Sequence, residues 1–470
     1  MKNLLFFLFF SGFSFLLSAA ELNIVCTTDL HGHFERIPAL SSVIRSAGEE
    51  ALKIDVGDTL TGTPYSDSRG GKPMMTLLNK LKYDVWVPGN HDFEAGYNAF
   101  SMRVREFKGS VLGAQWSWRD IRPLPWKLFV RSGVRAAVIG LTDPAMFSRV
   151  LPGDGGVFRN EIEALKAVMP QIHAARPHVI ILACHNGEYS RYGSTFTLSR
   201  TFPEIDLILG GHSHQDVPGK RLANAWFVQA GCYGKKAAVI KVTVDDKSGR
   251  IRKITSGLYD TVPGKRERKL ERLCLDMEKE QRRLESAPLV PGGKRIVLPR
   301  MLIGKHLAEM FVKKTPGTAA LVQRPELKFI RKKNRRFKNT LAGVGTYLEL
   351  YRLFPFNNRI CLVKVSRNDL KELEDFCRIN ASRRKVRYFF AGDISSSGNG
   401  RLEMKKDTVS LAVSDYLLVS VPVLKKKLND PACWQLLPGL TEREIALEMF
   451  RSLIRDGAAG PSTPPPPERR

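Results

Sequence analysis

Short apolar runs alternate with polar turns and helical stretches from residue 21 to about residue 262. Apolar runs bounded by polar turns are typical of buried strands, and their alternation with helical patterns is typical of an α/β fold. The pattern predicts strands at residues 22–27, 52–56, 85–87, 111–113, 136–141, 179–183, 207–209, 226–229 and 237–244. A helix is predicted at residues 161–176 between two of them.

The second half of the chain predicts a smaller α+β domain at residues 296–456, with helices at 303–313 and 369–379 and strands at 360–365 and 408–413. Residues 265–285 mix charges of both signs around a few apolar positions, which predicts an exposed helix with i,i+4 ion pairs. Residues 287–294 contain two prolines and two glycines and are interpreted as a linker. The predicted organisation is therefore a first domain at 21–262, a connection at 263–295, the second domain and a disordered tail at 457–470.

The amino terminus has the pattern of a secretory signal at residues 1–20. Lys2 precedes an apolar stretch at residues 4–17, and Ser18-Ala19-Ala20 supplies small residues for cleavage. No later segment is apolar enough to cross a bilayer, so the mature protein is expected to be periplasmic or secreted, with an uncleaved anchor as the alternative. The seven cysteines are irregularly spaced and odd in number, which excludes a disulfide scaffold but leaves one or two bridges open.

The formal net charge of +27 has two interpretations of equal weight. It favours an anionic substrate or partner, such as phosphate esters, nucleic acid or a charged envelope. It is equally explained by a basic, solvated surface.

Polar residues with metal-binding side chains follow five of the predicted strands. The segments are Asp29-Leu30-His31, Gly57-Asp58, Gly89-Asn90-His91, His185-Asn186-Gly187-Glu188 and Gly210-Gly211-His212-Ser213-His214. The carboxyl ends of parallel strands meet at one edge of a sheet, which is where α/β proteins bind ligands. Each segment alone is explained by a polar turn, but five in succession, holding six of the nine histidines once His33 is included, favour a metal site.

The order D-x-H, G-D-x-x-x-G, G-N-H-D/E, H-N-G-E and G-G-H-S-H resembles the dinuclear metallophosphoesterases. The signal sequence and the two-domain layout are similar to their exported branch of 5′-nucleotidases and 2′,3′-cyclic phosphodiesterases. The resemblance implies a four-layer αββα sandwich followed by a second, smaller α+β domain. It also implies two divalent cations, one held by Asp29, His31, Asp58 and His214 and the other by Asp58, Asn90, His185 and His212. Imidazole, carboxylate and amide ligands suit Zn, Mn or Fe, and Zn or Mn is expected.

The same resemblance assigns roles beyond the cations. His91 would stabilise transition-state charge or protonate the leaving group, oriented by Glu94 where the family has an aspartate. Phe356 and Asn358, in a segment similar to the family's "vFPFgN", would contact the base of a nucleotide. Arg331 would bind phosphate, although two neighbouring arginines fit equally well. His33 is interpreted as a structural histidine.

The resemblance implies an exported phosphoesterase that hydrolyses 5′-nucleotides or related phosphate esters by metal-activated water. One alternative is a cyclic-nucleotide or nucleic-acid phosphodiesterase, or a sulfur-ester hydrolase similar to thiosulfohydrolases. Another is a non-catalytic polyanion-binding protein, which the basic run at 331–338 favours and the complete ligand set disfavours. The expected partner is a small nucleotide or phosphate ester rather than nucleic acid, and the sequence leaves the oligomeric state open.

Overall fold

The computed structural model of the chain describes residues 19–142, 155–188, 195–261, 267–323, 341–383, 387–396 and 401–456. Most of the predicted signal sequence, Arg331 with the basic run around it, and the predicted tail lie outside the described residues. Residues 19 and 20 are described, and they begin the first strand.

The first half of the chain forms β1 (Ala19–Thr27), β2 (Leu52–Asp55), β3 (Val85–Trp86), β4 (Ser110–Val111), β5 (Trp116–Trp118), β6 (Trp126–Arg131), β7 (Val134–Leu141), β8 (Gly156–Phe158), β9 (Val179–Cys184), β10 (Leu207–Gly210), β11 (Asp216–Leu222), β12 (Ala225–Ala230), β13 (Lys236–Asp245) and β14 (Ile251–Asp260). Its helices are α1 (Ile37–Ser46), α2 (Pro64–Asp67), α3 (Lys72–Lys80), α4 (Gly96–Glu106), α5 (Glu161–Ala174), α6 (Thr195–Thr201) and α7 (Arg268–Ser286). Every strand predicted in this half is present.

Two six-stranded sheets, ordered β14-β13-β1-β2-β3-β4 and β11-β12-β10-β9-β7-β6, pack face to face. Side chains alternate between the two faces of a strand. In β1, Ile24 and Cys26 point into the core between the sheets, whereas Val25 points to a second core beneath α1 and α3. On the far side, Leu165 of α5 packs against the outer face of the second sheet. The order helix, sheet, sheet, helix confirms the four-layer αββα sandwich.

Three strands that the apolar pattern did not predict, β6, β11 and β14, are edge strands of these sheets. Their side chains are mostly exposed or half-buried. A strand that faces solvent at a sheet edge does not need a continuous apolar run, so its sequence lacks the signal that identified the inner strands.

The second half forms β15 (Ile296–Pro299), β16 (Ala319–Gln323), β17 (Leu341–Val344), β18 (Arg359–Ser366), β19 (Tyr388–Gly392), β20 (Ile394–Ser396), β21 (Leu402–Met404), β22 (Thr408–Ser414) and β23 (Trp434–Thr441). Its helices are α8 (Arg300–Lys314), α9 (Tyr347–Leu353), α10 (Arg367–Arg383), α11 (Asp415–Ser420), α12 (Pro422–Lys426) and α13 (Glu442–Arg455). A five-stranded mixed sheet, β19-β16-β22-β18-β23, lies between two apolar cores. The predicted α+β C-terminal domain is therefore confirmed.

Helix α7 connects the two halves and differs from the predicted exposed helix on one face. Its Leu270, Cys274 and Met277 are buried in the first domain's core, while the outer face carries the i,i+4 pair of Arg282 with Glu278 at 3.4 Å. The segment interpreted as a linker is also partly buried, because residues 289 and 290 belong to a core of the second domain.

All seven cysteines lie within the described residues, and no disulfide bond joins any two of them there. In the part of the chain that the structure describes, each helix is too short or too polar to traverse a lipid bilayer.

Candidate metal centre

Most of the predicted metal ligands have an unusual backbone conformation. Positive φ angles occur at Asp29 (53°), His31 (46°), Asp58 (51°), His212 (67°) and His214 (57°). This left-handed conformation costs a residue with a Cβ roughly 1–2 kcal/mol, and such residues cluster at functional sites. Hydrogen bonds from Asp29 N to Gly57 O (2.7 Å) and from His31 N to Asp58 O (2.8 Å) hold the loops after β1 and β2 together.

Two glycines allow the loops after β2 and β3 to approach each other. Gly57 has a φ of +84°, and a Cβ at this position would lie 2.2 Å from the backbone nitrogen of Gly89. A Cβ at Gly89 would lie 2.3 Å from Oδ1 of Asp58. Larger residues would push the loops apart, so the glycines bring Asp58 and Asn90 to the same place.

The first group of candidate ligands contains Asp29, His31 and His214. His214 Nε2 lies 3.3 Å from Asp29 Oδ1 and 3.1 Å from His31 Nε2. His31 Nδ1 faces the carbonyl oxygen of Thr61 at 3.3 Å, where it can only donate, and this leaves Nε2 to face the other ligands. The potential ligand atoms of the three residues lie within 4.8 Å of one another, which is a spacing that a single cation can span.

The second group contains Asp58, His185 and His212. His185 Nδ1 donates to the carbonyl oxygen of Val56, so the neutral ring would carry its lone pair on Nε2. This Nε2 is buried without a hydrogen-bond partner among the described residues and lies 3.1 Å from Asp58 Oδ2. Asn90 joins the group through its Oδ1, which is 2.9 Å from His212 Nδ1.

Asp58 lies between the two groups, because its Oδ2 is also 3.8 Å from His31 Nε2. The seven residues that the sequence singled out are therefore together at one edge of the sandwich. A buried imidazole nitrogen without a partner, next to carboxylates, is a fit for a divalent cation, and the donor set suits Zn or Mn better than Ca or Mg.

The electrostatics of the centre differ from ligand to ligand. Burial opposes a charge on His185, yet Asp58 raises its pKa to about 10, and the hydrogen bond to Asp29 raises the pKa of His214 to about 10. A cation would therefore displace a proton from each of these two imidazoles. Burial disfavours the charged carboxylate of Asp58, yet the neighbouring His185 and His91 imidazoles hold its pKa well below the usual range. Burial lowers the pKa of His31 to about 4, although Asp58 opposes this shift. At neutral pH Asp58 is therefore ionised and His31 is neutral.

His91 and Glu94 flank the second group. The His91 backbone nitrogen donates to Asp58 Oδ1 (2.7 Å), and its ring Nε2 lies 4.0 Å from Asp58 Oδ2. His91 Nδ1 lies 2.7 Å from Oε1 of Glu94, so the longer carboxylate reaches the imidazole.

Two residues at the centre were missed by the sequence reasoning. Tyr233 packs its ring against His31, with 5.7 Å between ring centroids, and its backbone nitrogen donates to Asp29 O. The buried Asp92 accepts from the backbone nitrogens of residues 59, 60 and 89, which joins the loops after β2 and β3. Asp92 stands in the same G-N-H-D segment as His91, so the sequence motif could have identified it. Tyr233 belongs to no such motif, and only the glycines on either side of it mark a turn.

A cavity of about 750 Å³ extends from the candidate ligands to the second domain. His31, His91 and His214 lie at its inner end, and Tyr351, Arg352 and Phe356 line the opposite wall. The Phe356 ring stacks on His91, with centroids 5.9 Å apart and planes inclined by 17°.

The other predicted substrate contacts are not brought to this cavity. The side-chain amide of Asn358 donates to Glu442 Oε2 at 2.8 Å, within the second domain. Arg331 lies outside the described residues. Its contact with substrate and that of Asn358 stay predictions.

Comparisons with known proteins agree with this geometry. Residues 22–216 match the family model of calcineurin-like phosphoesterases. The silent protein UshA(0) of Salmonella typhimurium is 25% identical over 345 residues, covering 62% of this chain and 60% of the relative. A 5′-nucleotidase of Vibrio cholerae is 29% identical over 225 residues, covering 42% and 41%.

Among solved structures, a putative 5′-nucleotidase from Staphylococcus aureus matches with a TM-score of 0.67 at 15% identity, covering 92% of this chain and 97% of that chain. The chain spans 60% or less of the length of these two curated relatives. Residues 22–216 of this chain are therefore similar to calcineurin-like phosphoesterase domains.

Proposed function

We propose that the protein is an exported phosphoesterase that hydrolyses 5′-nucleotides or related phosphate esters with two divalent cations. The observation that carries the proposal is the pair of ligand groups that share Asp58. The family of residues 22–216 and the relatives named 5′-nucleotidase support it.

In this proposal Asp29, His31 and His214 would hold one cation, Asn90, His185 and His212 would hold the other, and Asp58 would serve both groups. Two divalent cations in these positions supply Lewis-acid binding of phosphate oxygens and an activated water for attack on phosphorus. The protein holds the two groups of ligands at a fixed distance from each other. It also contributes the buried hydrogen bonds that orient each ligand, such as His185 Nδ1 to Val56 O.

His91 is the proposed catalytic imidazole. Its ring lies at the edge of the ligand groups and lines the cavity, so it can face a phosphoryl oxygen or a leaving-group oxygen. Glu94 accepts from Nδ1 and would stabilise the imidazolium that donates a proton or a hydrogen bond.

The cavity supports a small phosphate ester rather than a polymer as substrate. Phe356 offers an aromatic face beside His91, on which the base of a nucleotide could stack. The segment that follows Ser414-Asp415-Tyr416 lacks the second aromatic residue that stacks on the base in the family that this chain resembles, so the preferred substrate can differ from common nucleotides.

Export of the protein is proposed from the signal pattern of residues 1–20.

A metal titration and a substrate panel test the proposal. The purified protein should bind about two Mn²⁺ or Zn²⁺ ions per chain, and Asp58→Ala should lose both the ions and the activity. The matched control is Asp216→Ala, because Asp216 is an exposed aspartate that pairs with Lys236. A protein that binds no divalent metal contradicts the proposal.

The panel compares AMP, UMP, UDP-glucose, 2′,3′-cyclic AMP and short DNA with added Mn²⁺ or Zn²⁺. Preference for a monoester supports the proposal, and preference for the cyclic nucleotide or DNA supports a phosphodiesterase instead. Binding of DNA that weakens steeply with salt, without hydrolysis and without a response to chelation, supports a polyanion-binding protein.

A further inference from the structure

A buried ion pair joins the two domains next to the cavity. Asp67, the last residue of α2 in the first domain, lies 3.6 Å from Arg443 in the first turn of α13. The two side chains are only 9% and 7% exposed. Removing two charges from water is costly, and such a pair is more often explained by specific geometry than by added stability.

On the second domain's side, Arg443 holds the segment that carries Phe356. Its Nε donates to Phe354 O (2.8 Å) and its NH2 group donates to Pro355 O (2.6 Å). Its guanidinium lies 4.4 Å above the ring of Tyr351, and the Tyr351 hydroxyl donates to Asp67 Oδ2 at 3.0 Å. The backbone directly before Phe356 is thus fixed by two charge-assisted bonds.

On the first domain's side, Asp67 holds the loop beside the candidate metal centre. Asp67 Oδ1 accepts from the backbone nitrogen of Gly62 at 2.8 Å. The preceding residue, Thr61, donates through Oγ1 to His91 O (2.8 Å), and its carbonyl oxygen accepts from His31 Nδ1. One carboxylate therefore connects the segment before Phe356 with the loop that orients His91.

We propose that Asp67, Tyr351 and Arg443, here called the interdomain clasp, are positioning residues that hold Phe356 stacked on His91. The clasp fixes the distance between the aromatic wall of the cavity and the catalytic imidazole. Its catalytic consequence rests on the proposed function, whereas its structural consequence does not.

The experiment compares Asp67→Asn with Asp415→Asn. The first substitution can keep an acceptor oxygen for Gly62 N, but it replaces the oxygen that accepts from the Tyr351 hydroxyl with an NH2 donor and removes the charge opposite Arg443. The second is a matched control, because Asp415 is equally buried and pairs with Arg359 at 3.0 Å, entirely within the second domain. Tyr351→Phe is the second test variant, since it removes only the hydroxyl contact if the charge loss prevents folding.

Hydrogen exchange followed by mass spectrometry reports on the clasp without any metal. Amide exchange in residues 60–67 and 346–356 should rise about tenfold in Asp67→Asn and less in Tyr351→Phe, and should stay unchanged in Asp415→Asn. Kinetics with Mn²⁺ and both AMP and glycerol 2-phosphate should show a kcat that falls about tenfold in Asp67→Asn, because small displacements of reacting groups are costly.

Equal exchange in Asp67→Asn and Asp415→Asn at residues 60–67 and 346–356 would overturn the clasp. Raised exchange with an unchanged kcat would overturn its positioning role. If no variant and no wild-type protein hydrolyses a phosphate ester, the proposed function fails, and the exchange measurement still decides whether the clasp exists.

Discussion

The carboxylate of Glu94 and the imidazole of His91 are joined by a 2.7 Å hydrogen bond at the edge of the candidate metal centre. A carboxylate that accepts from Nδ1 fixes the orientation of the ring and stabilises its protonated form. Glutamate stands where the metallophosphoesterases that the chain resembles have an aspartate, and it makes this contact. His91 and Glu94 belong to the same turn of backbone, where the His91 carbonyl oxygen accepts from Glu94 N.

The substitution Glu94→Gln is expected to lower kcat for AMP by about 10–100-fold. Glutamine keeps the size and a hydrogen-bond acceptor but removes the charge that stabilises the imidazolium. Metal content should not change, because the Glu94 carboxylate bonds to His91, which is not one of the proposed metal ligands. Inductively coupled plasma mass spectrometry of the purified variant provides that control. An unchanged kcat would remove Glu94 from the mechanism.

The sequence predicted the candidate centre better than it predicted the edges of the fold. The inner strands are buried on both faces, so their apolar runs are continuous, and the residues that follow them necessarily meet at one edge of the sheets. Asp29, Asp58 and His212 could be identified for this reason. Strands β6 and β14 face solvent, and their mixed composition is not distinct from that of loops.

Contacts between residues far apart in the chain explain what the sequence could not predict. Tyr233 reaches His31 because β12 returns beside β10, and no local pattern encodes that neighbour. Similarly, Asn358 was expected at the substrate, but its amide bonds with Glu442, which lies 84 positions later. Phe356 of the same segment lines the cavity, while the partner of the Asn358 side chain depends on tertiary packing.

Replacing Phe356 with alanine should raise KM selectively for substrates that contain a base. Stacking of a base on an aromatic ring is worth about 1–3 kcal/mol, so KM for AMP should increase about 5–150-fold. KM for glycerol 2-phosphate, which has no ring to stack, should change much less. Tyr416→Ala, at an aromatic residue that is exposed in the same domain, should leave both constants unchanged. Equal effects on the two substrates would contradict base stacking.

Gly57→Ala is expected to weaken metal binding by at least tenfold, because the added Cβ would force the loops after β2 and β3 apart. Gly48→Ala is the matched control. Gly48 also has a positive φ, at +96°, but nothing lies within 4 Å of its Cβ position. Gly48→Ala should lose roughly 1 kcal/mol of stability through backbone strain alone. Gly57→Ala should lose more stability, because its Cβ also meets backbone atoms, and only this variant should lose Mn²⁺ affinity in a calorimetric titration. Comparable losses of affinity would mean that strain, rather than loop contact, governs the site.

The pH dependence of stability should contain a contribution from Asp206, which precedes β10. Burial raises the pKa of Asp206 to about 6, although the backbone nitrogen of Ile180 donates to its Oδ2 at 2.8 Å. Between the unfolded value of 3.8 and about 6, the folded protein keeps a proton that the unfolded chain has released. The free energy of unfolding should therefore decrease as pH rises through this window, by roughly 2–3 kcal/mol from this group.

Asp206→Asn removes this titration while an amide oxygen can still accept from Ile180. Urea unfolding at pH values from 4 to 7 should give a wild-type stability that decreases with pH relative to that of the variant, because asparagine takes no part in proton release. The loss of wild-type stability relative to the variant should grow up to about pH 6 and then stay constant, since above this pH Asp206 is ionised in both folded and unfolded chains. Parallel stability curves would show that Asp206 is ionised in the folded protein throughout, and that the bond from Ile180 outweighs the cost of burial.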